Sequence, residues 1–164
     1  MDNDFHASCT PERPVTTVVA GVGSPFGDDQ AGWRLVDMLQ RRPHLPIRLR
    51  KVDEPTRIID DLRGCSKLII VDACRSVCHA GAVTRLKWPD PRIAQCHCHS
   101  THGVGVHEAL QLAERLGRLP ADVEIYGIEV RDCAPGREIC QEVLQAVAEL
   151  EGVIWAELCE AAYA

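Results

Sequence analysis

"VTTVVAGVGSPFGDDQAGWRLVDMLQRR" spans residues 15–42, and its hydrophobic period changes part-way along. The first nine residues are a β-branched run closed by glycines, which predicts a buried strand and a turn. From Ala31 onward, Trp33, Val36 and Leu39 recur at helical spacing, and Pro43 marks the stop. Strand, glycine turn and helix together open an α/β unit. If the pattern repeats, it decides the fold.

It does repeat. "IRLRKVD" (47–53) alternates apolar and basic side chains, as a strand with one wet face would, and "PTRIIDDLRG" (55–64) reads as a short helix closed by Gly64. "KLIIVDA" (67–73) is a continuous apolar run, hence a central strand. "GAVTRLKW" (81–88) reads as an edge strand. "GVGVHEALQLAERLG" (103–117) is an amphipathic helix ended by Gly117, and "DVEIYGIEV" (122–130) is another strand. "REICQEVLQAVAEL" (137–150) is a further amphipathic helix, and the residues after it are helical in composition. The expectation is a three-layer α/β sandwich: a mostly parallel, twisted sheet of about five strands, flanked by helices. Residues 1–14 read as a flexible leader and 15–164 as a single domain.

Composition excludes several function classes. Of the 164 residues, 46% are hydrophobic and 26% charged, the balance of a globular protein with a real core. The formal net charge of -6 argues against nonspecific binding to nucleic acid or to an anionic membrane. No apolar run reaches membrane-span length, and "MDNDFHASCTPERP" lacks a signal-peptide core, so the expected location is the cytoplasm. Nine cysteines in such a chain read as reduced thiols, with Cys65, Cys74, Cys133, Cys140 and Cys159 mostly as small buried or half-buried fillers.

Parallel α/β sheets bind ligands outside the carboxyl ends of their strands. Three stretches fall there. "GVGSPFGDDQAG" (21–32) offers glycines and two adjacent acids, Asp28 and Asp29. It is no dinucleotide fingerprint, because Phe26 stands at the third glycine position, and paired acids at a helix start repel phosphate. One acid is expected to cap the helix, leaving the other for chemistry. "IIVDACRS" (69–76) carries Asp72 at the end of an apolar strand, where a buried carboxylate needs a partner, an Asx-type turn or a cation.

"CHCHSTHGVGVHEALQLAE" (96–114) crowds two cysteines and four histidines into Cys96–His107. His102 follows the capping-type pair Ser100 and Thr101, just before the helix. The helix dipole there disfavours imidazolium, and neutral imidazole is the metal-ligating form. Cys96, His97, Cys98 and His99 are too closely spaced to wrap one tetrahedral ion, though Cys74, Cys78 and His79 offer a second pair for a structural zinc.

Taken in order, these segments resemble the nickel–iron hydrogenase maturation proteases over about Val18–Leu150. "GVGSPFGDDQAG" is similar to that family's glycine loop with paired acids, and "IIVDA" to its second acidic strand end. "STHGVGVHEALQLAERLGRLPADVEIYGIEV" is similar to its histidine segment, following helix and next strand, and "PGREICQEVLQAVAEL" to its closing helix. The resemblance implies an endopeptidase that trims the C-terminal extension from a hydrogenase large-subunit precursor after nickel insertion. It further implies Asp29, Asp72 and His102 as the three metal-contacting side chains. Nickel would arrive with the substrate, and no organic cofactor is implied. Ser24 stands where the family usually has Asn, and Gln30 where Gly is common.

Two carboxylates and an imidazole suit a borderline divalent ion, which can polarise a carbonyl or activate water. Asp28 or Asp29 is then the candidate general base. The catalytic set expected from the sequence is therefore Asp28, Asp29, Asp72 and His102, acting in a monomer. A non-hydrolytic nickel- or zinc-binding assembly factor is the alternative. A flavodoxin-like nucleotide binder is a weaker third reading, which the acidic first loop opposes.

Overall fold

The computed structural model describes residues 16–43, 46–95 and 104–163. The leader, the Cys96–His99 cluster and His102 lie outside the described residues. Five strands, β1 (Thr16–Val22), β2 (Ile47–Val52), β3 (Cys65–Cys74), β4 (Val83–Lys87) and β5 (Asp122–Glu129), form one sheet in the order β2-β1-β3-β5-β4. All pairings are parallel except β4–β5, so the predicted edge strand is also the antiparallel one. The α-helices are α1 (Ala31–Leu39), α2 (Val106–Arg115) and α3 (Gln141–Tyr163).

Side-chain alternation builds the two outer layers. Val18, Ala20 and Val22 of β1 and Leu68 and Ile70 of β3 face one side, where Ile58, Ile59, Leu62, Val106 and Leu110 cover them. Val19, Ile69 and Val71 face the other, against Leu35 and Leu39 of α1 and Val143, Val147 and Ile154 of α3. Strands covered on both faces must be apolar throughout, hence the unbroken run in β3.

Three local expectations shift. The segment 55–64 forms a 3-10 helix over Pro55–Leu62. Pro55 and Ile58, and likewise Ile59 and Leu62, are three apart, a spacing that a three-residue turn also stacks on one buried face. The closing helix starts at Gln141 rather than 137 and continues unbroken to Tyr163. Ile154 and Leu158 extend its buried stripe past Gly152, which outweighs the roughly 1 kcal/mol that a mid-helix glycine costs. Finally, β3 runs on to Cys74, so Asp72 lies within the strand, opposite Gly127, and not in an Asx-type turn. Its alternation with Leu68 and Ile70 puts it on the α2 side of the sheet.

The crossovers fix where function can sit. α2 leads back to the start of β5, so its first residue, Val106, lies at the carboxyl edge of the parallel strands. The turn after β1, the end of β3 and the segment after β5 share that edge. Among the described residues, no helix is long and apolar enough to cross a membrane.

Candidate active site

The glycine loop is built for backbone contact. A Cβ on Gly21 would sit 2.1 Å from the Gly32 carbonyl oxygen, and one on Gly23 would sit 2.1 Å from that of Asp29. A Cβ on Gly32 would meet the carbonyl oxygens of Val22 and Val71 at 2.4 and 2.5 Å. The start of α1 therefore lies directly across the carboxyl ends of β1 and β3, at a distance only glycine permits. The loop is also pinned from β2: Gly23 N and Trp33 Nε1 both donate to the Val52 carbonyl, at 3.1 and 3.0 Å.

The two acids occupy a 3-10 turn, Gly27–Gln30, that leads into α1. Neither caps it by a side-chain hydrogen bond, contrary to the sequence expectation. Asp28 is buried, and its carboxylate is held by the segment after β5. Oδ2 accepts the backbone N–H of Arg131 at 2.9 Å and of Asp132 at 3.1 Å, and Oδ1 accepts that of Cys140 at 2.7 Å. Burial pushes its pKa up, but the bonds from Cys140, Asp132 and Arg131 outweigh this and hold the carboxyl below its ordinary range. A carboxylate with its oxygens so engaged and its basicity lowered is a poor proton acceptor. Asp28 is thereby engaged in holding the scaffold.

Asp29, next in the chain, is half-buried. Its backbone closes the loop, with its N–H on the Phe26 carbonyl at 3.1 Å and its carbonyl accepting from Ser24 N at 3.3 Å. Asp72 is buried on the neighbouring strand, one residue past the Gly21–Val71 pair. Register thus brings the backbone at residue 72 beside the glycine loop, with the Asp72 side chain on the α2 side of the sheet. The third candidate, His102, lies outside the described residues, four positions before Val106 of α2, which starts at the same edge. Among the described residues, no three His, Cys, Asp or Glu side chains form a metal-holding group.

Two thiols border the site. Burial, and then the charge of Asp29, push the Cys133 thiol up, and burial does the same to Cys140. Both are therefore protonated at neutral pH and neither is a ready nucleophile. Cys74 is buried with its Sγ 3.8 Å from Glu129, whereas Cys78 is exposed.

The sequence reading passed over Glu129. It ends β5, is buried, and accepts the Ser76 N–H at 2.6 Å and hydroxyl at 2.8 Å, tying down the chain after β3. A carboxylate closing an apolar strand was the signal that singled out Asp72, and it was equally present here. The partners of Asp28 were not legible, because backbone N–H groups leave no mark on side-chain identity.

Comparison with known proteins settles the family. The HycI family model, hydrogenase maturation protease, matches residues 34–157. The chain belongs to the hydrogenase maturation protease family. It is accordingly an enzyme, an endopeptidase in class. Its fold is similar to that of the hydrogenase maturating endopeptidase HybD from E. coli, with TM-score 0.74 and 22% identity over 90% of this chain and 94% of that one. The hydrogenase 2 maturation peptidase from Thaumarchaeota archaeon SCGC_AB-539-E09 aligns with TM-score 0.63 and 26% identity, over 87% and 97%. HybD, a NiFe hydrogenase maturation protease from Thermococcus kodakarensis, gives 0.67 and 20%, over 88% and 99%. A comparison with curated protein sequences found no match. Membership of the protease family sets aside the non-hydrolytic assembly factor and the flavodoxin-like binder.

Proposed function

We propose that this protease removes the C-terminal extension of a nickel–iron hydrogenase large-subunit precursor once nickel has been inserted. Asp29, Asp72 and His102 are the residues that read the nickel. The observation that carries the reading is the register of β1 against β3. It sets Asp72 beside the glycine loop that holds Asp29, at the edge where this fold class binds ligands. Two carboxylates and an imidazole are a donor set suited to a borderline divalent ion.

Nickel here is part of the substrate. Docked in the cleft, it can polarise the scissile carbonyl or activate the attacking water. Asp28 is committed to the backbone, so Asp29 is the nearer carboxylate for taking the proton from water, with Asp72 as its partner. The enzyme works as a cytoplasmic monomer without an organic cofactor, nucleic acid or membrane, and its net charge of -6 supports the last two exclusions.

The test is to incubate the purified chain with nickel-loaded, unprocessed large subunit and weigh the product by intact-mass spectrometry. Loss of one C-terminal peptide of fixed mass is expected. An unchanged subunit, from every hydrogenase class supplied, would refute the proposal.

A further inference from the structure

Val77 is fully exposed, yet the loop that carries it is tightly held. The loop follows β3, the strand of Asp72, at the carboxyl edge. Ser76 donates its N–H and its hydroxyl to the buried carboxylate of Glu129, at 2.6 and 2.8 Å, and Cys78 N donates to the Ser76 hydroxyl at 3.3 Å. Farther on, Gly81 N donates to the Glu129 carbonyl at 2.8 Å, and Ala82 N to that of His79 at 3.1 Å. Gly81 has φ +84, and a Cβ there would sit 2.6 Å from the Glu142 carbonyl oxygen, so this foot of the loop admits only glycine. A buried carboxylate and a committed glycine thus fix an aliphatic side chain outward, where it adds nothing to the core.

Two more exposed apolar side chains share this edge. Phe26 stands in the turn after β1, three residues before Asp29, and Val104 stands just before α2, two residues after His102. Val77 itself follows Asp72 by five. Single exposed apolar side chains are ordinary on a protein surface, but here each residue assigned to nickel has one close by in the chain. Five residues of chain reach at most about 18 Å. Ser76 is tied back to Glu129, the sheet partner of Cys74, so Val77 lies well inside that bound. A standard interface buries about 800 Å² per partner, a patch about 30 Å across. A macromolecule that brings nickel to Asp29, Asp72 and His102 therefore covers these side chains as well. We propose that Val77, Phe26 and Val104 form an apolar rim on which the folded body of the precursor seats, through an apolar patch around its nickel. This rests on the proposed function. A small nickel complex would bury none of the three. Glu129 orders the Val77 tip before binding, so little ordering cost opposes its burial. The contact is the same before and during bond cleavage, so it strengthens capture and not the chemical step.

Val77→Asp puts a carboxylate at the tip without touching the core. Leu116→Asp adds the same charge at an exposed position closing the far end of α2, as a control. Cleavage kinetics on nickel-loaded precursor, melting temperature and sedimentation are measured for each. Val77→Asp should raise KM about tenfold or more, with kcat within about threefold of wild type. Val77→Ser, which removes apolar surface without adding charge, should raise KM about threefold. Both should melt as the wild type does, and Leu116→Asp should keep KM within about twofold. A wild-type KM in Val77→Asp, an equal rise in Leu116→Asp, or a fall in kcat with KM constant would overturn the proposal. So would a wild-type dimer that Val77→Asp splits, because a second copy would then cover the tip. Should Val77→Asp not fold, Val77→Ser decides by the same criterion. A wild type that cleaves no precursor would refute the proposed function and this inference with it, whereas wild-type cleavage with an undisturbed KM in the variants refutes the inference alone.

Discussion

Asp28 and Glu124 are both buried carboxylates, 1% exposed each, near opposite ends of the same sheet, and they are satisfied in opposite ways. Asp28 sits at the carboxyl edge and, among the described residues, pairs with no cation; it accepts three neutral N–H groups. Glu124 lies toward the start of β5 and is caged by cations, with Lys67 Nζ at 3.1 Å, Arg85 Nη2 at 2.6 Å and Lys87 Nζ at 3.6 Å, and with the Tyr126 hydroxyl at 3.3 Å. Burial pushes the Glu124 pKa up, but Arg85 and Lys67 outweigh it and the carboxyl titrates low. The difference shows two ways in which one sheet satisfies a buried carboxylate. Near Glu124, cations already neutralise the acids. At the other edge, Asp28 is satisfied by backbone N–H groups, next to Asp29, one of the residues proposed to read the nickel.

The sharpest way to break this contrast is to neutralise one acid at each end. Asp29→Asn and Asp72→Asn should lower precursor cleavage on the order of a hundredfold or more. Wild-type cleavage rates in both would remove them from the site. Glu124→Gln should do the opposite, leaving cleavage intact while costing about 2 kcal/mol, less than a fully buried pair because Arg85 is half-exposed. For a chain of this length that is a fall of roughly 4–8 °C in the thermal midpoint. A stable variant with impaired cleavage would mean that the cage matters to the reaction.

Acid titration sharpens the comparison further. The folded pKa of Glu124 lies below its unfolded value, so its contribution is full above the ordinary carboxylate range and is lost as pH falls through the folded pKa. The midpoint gap between wild type and Glu124→Gln should therefore hold near neutrality and close below about pH 4. A gap constant into strong acid would show that packing and not charge is at stake. The smallest expected effect belongs to the Cys96–His99 cluster. Changing Cys96 and Cys98 together to Ser should shift stability by within about 0.5 kcal/mol. A large loss of melting temperature, matched by a chelator in the wild type, would reveal a separate structural zinc.

Much of this was legible in the chain. A mostly parallel sheet follows from strands alternating with helices, and Asp72 was singled out because a carboxylate in "KLIIVDA" breaks an apolar run. Gly21, Gly23 and Gly32 were visible as a loop, but that they admit α1 onto the sheet depends on distances between backbones. By residue type alone Asp28 and Asp29 could not be told apart, and only the family resemblance chose Asp29; a turn of roughly 120° per residue decides which one is buried. The 3-10 geometry of Pro55–Leu62 was hidden because apolar residues three apart fit either helix type. The unbroken length of α3 was hidden by Gly152.

The most direct test of the central claim is processing of the large-subunit precursor, nickel-loaded against nickel-free, by wild type and by His102→Ala. A mobility shift on a gel scores it, and circular dichroism confirms that the variant is folded. The account predicts cleavage only of nickel-loaded precursor, only by the wild type. Full processing by folded His102→Ala, or equal cleavage of the nickel-free precursor, would contradict it.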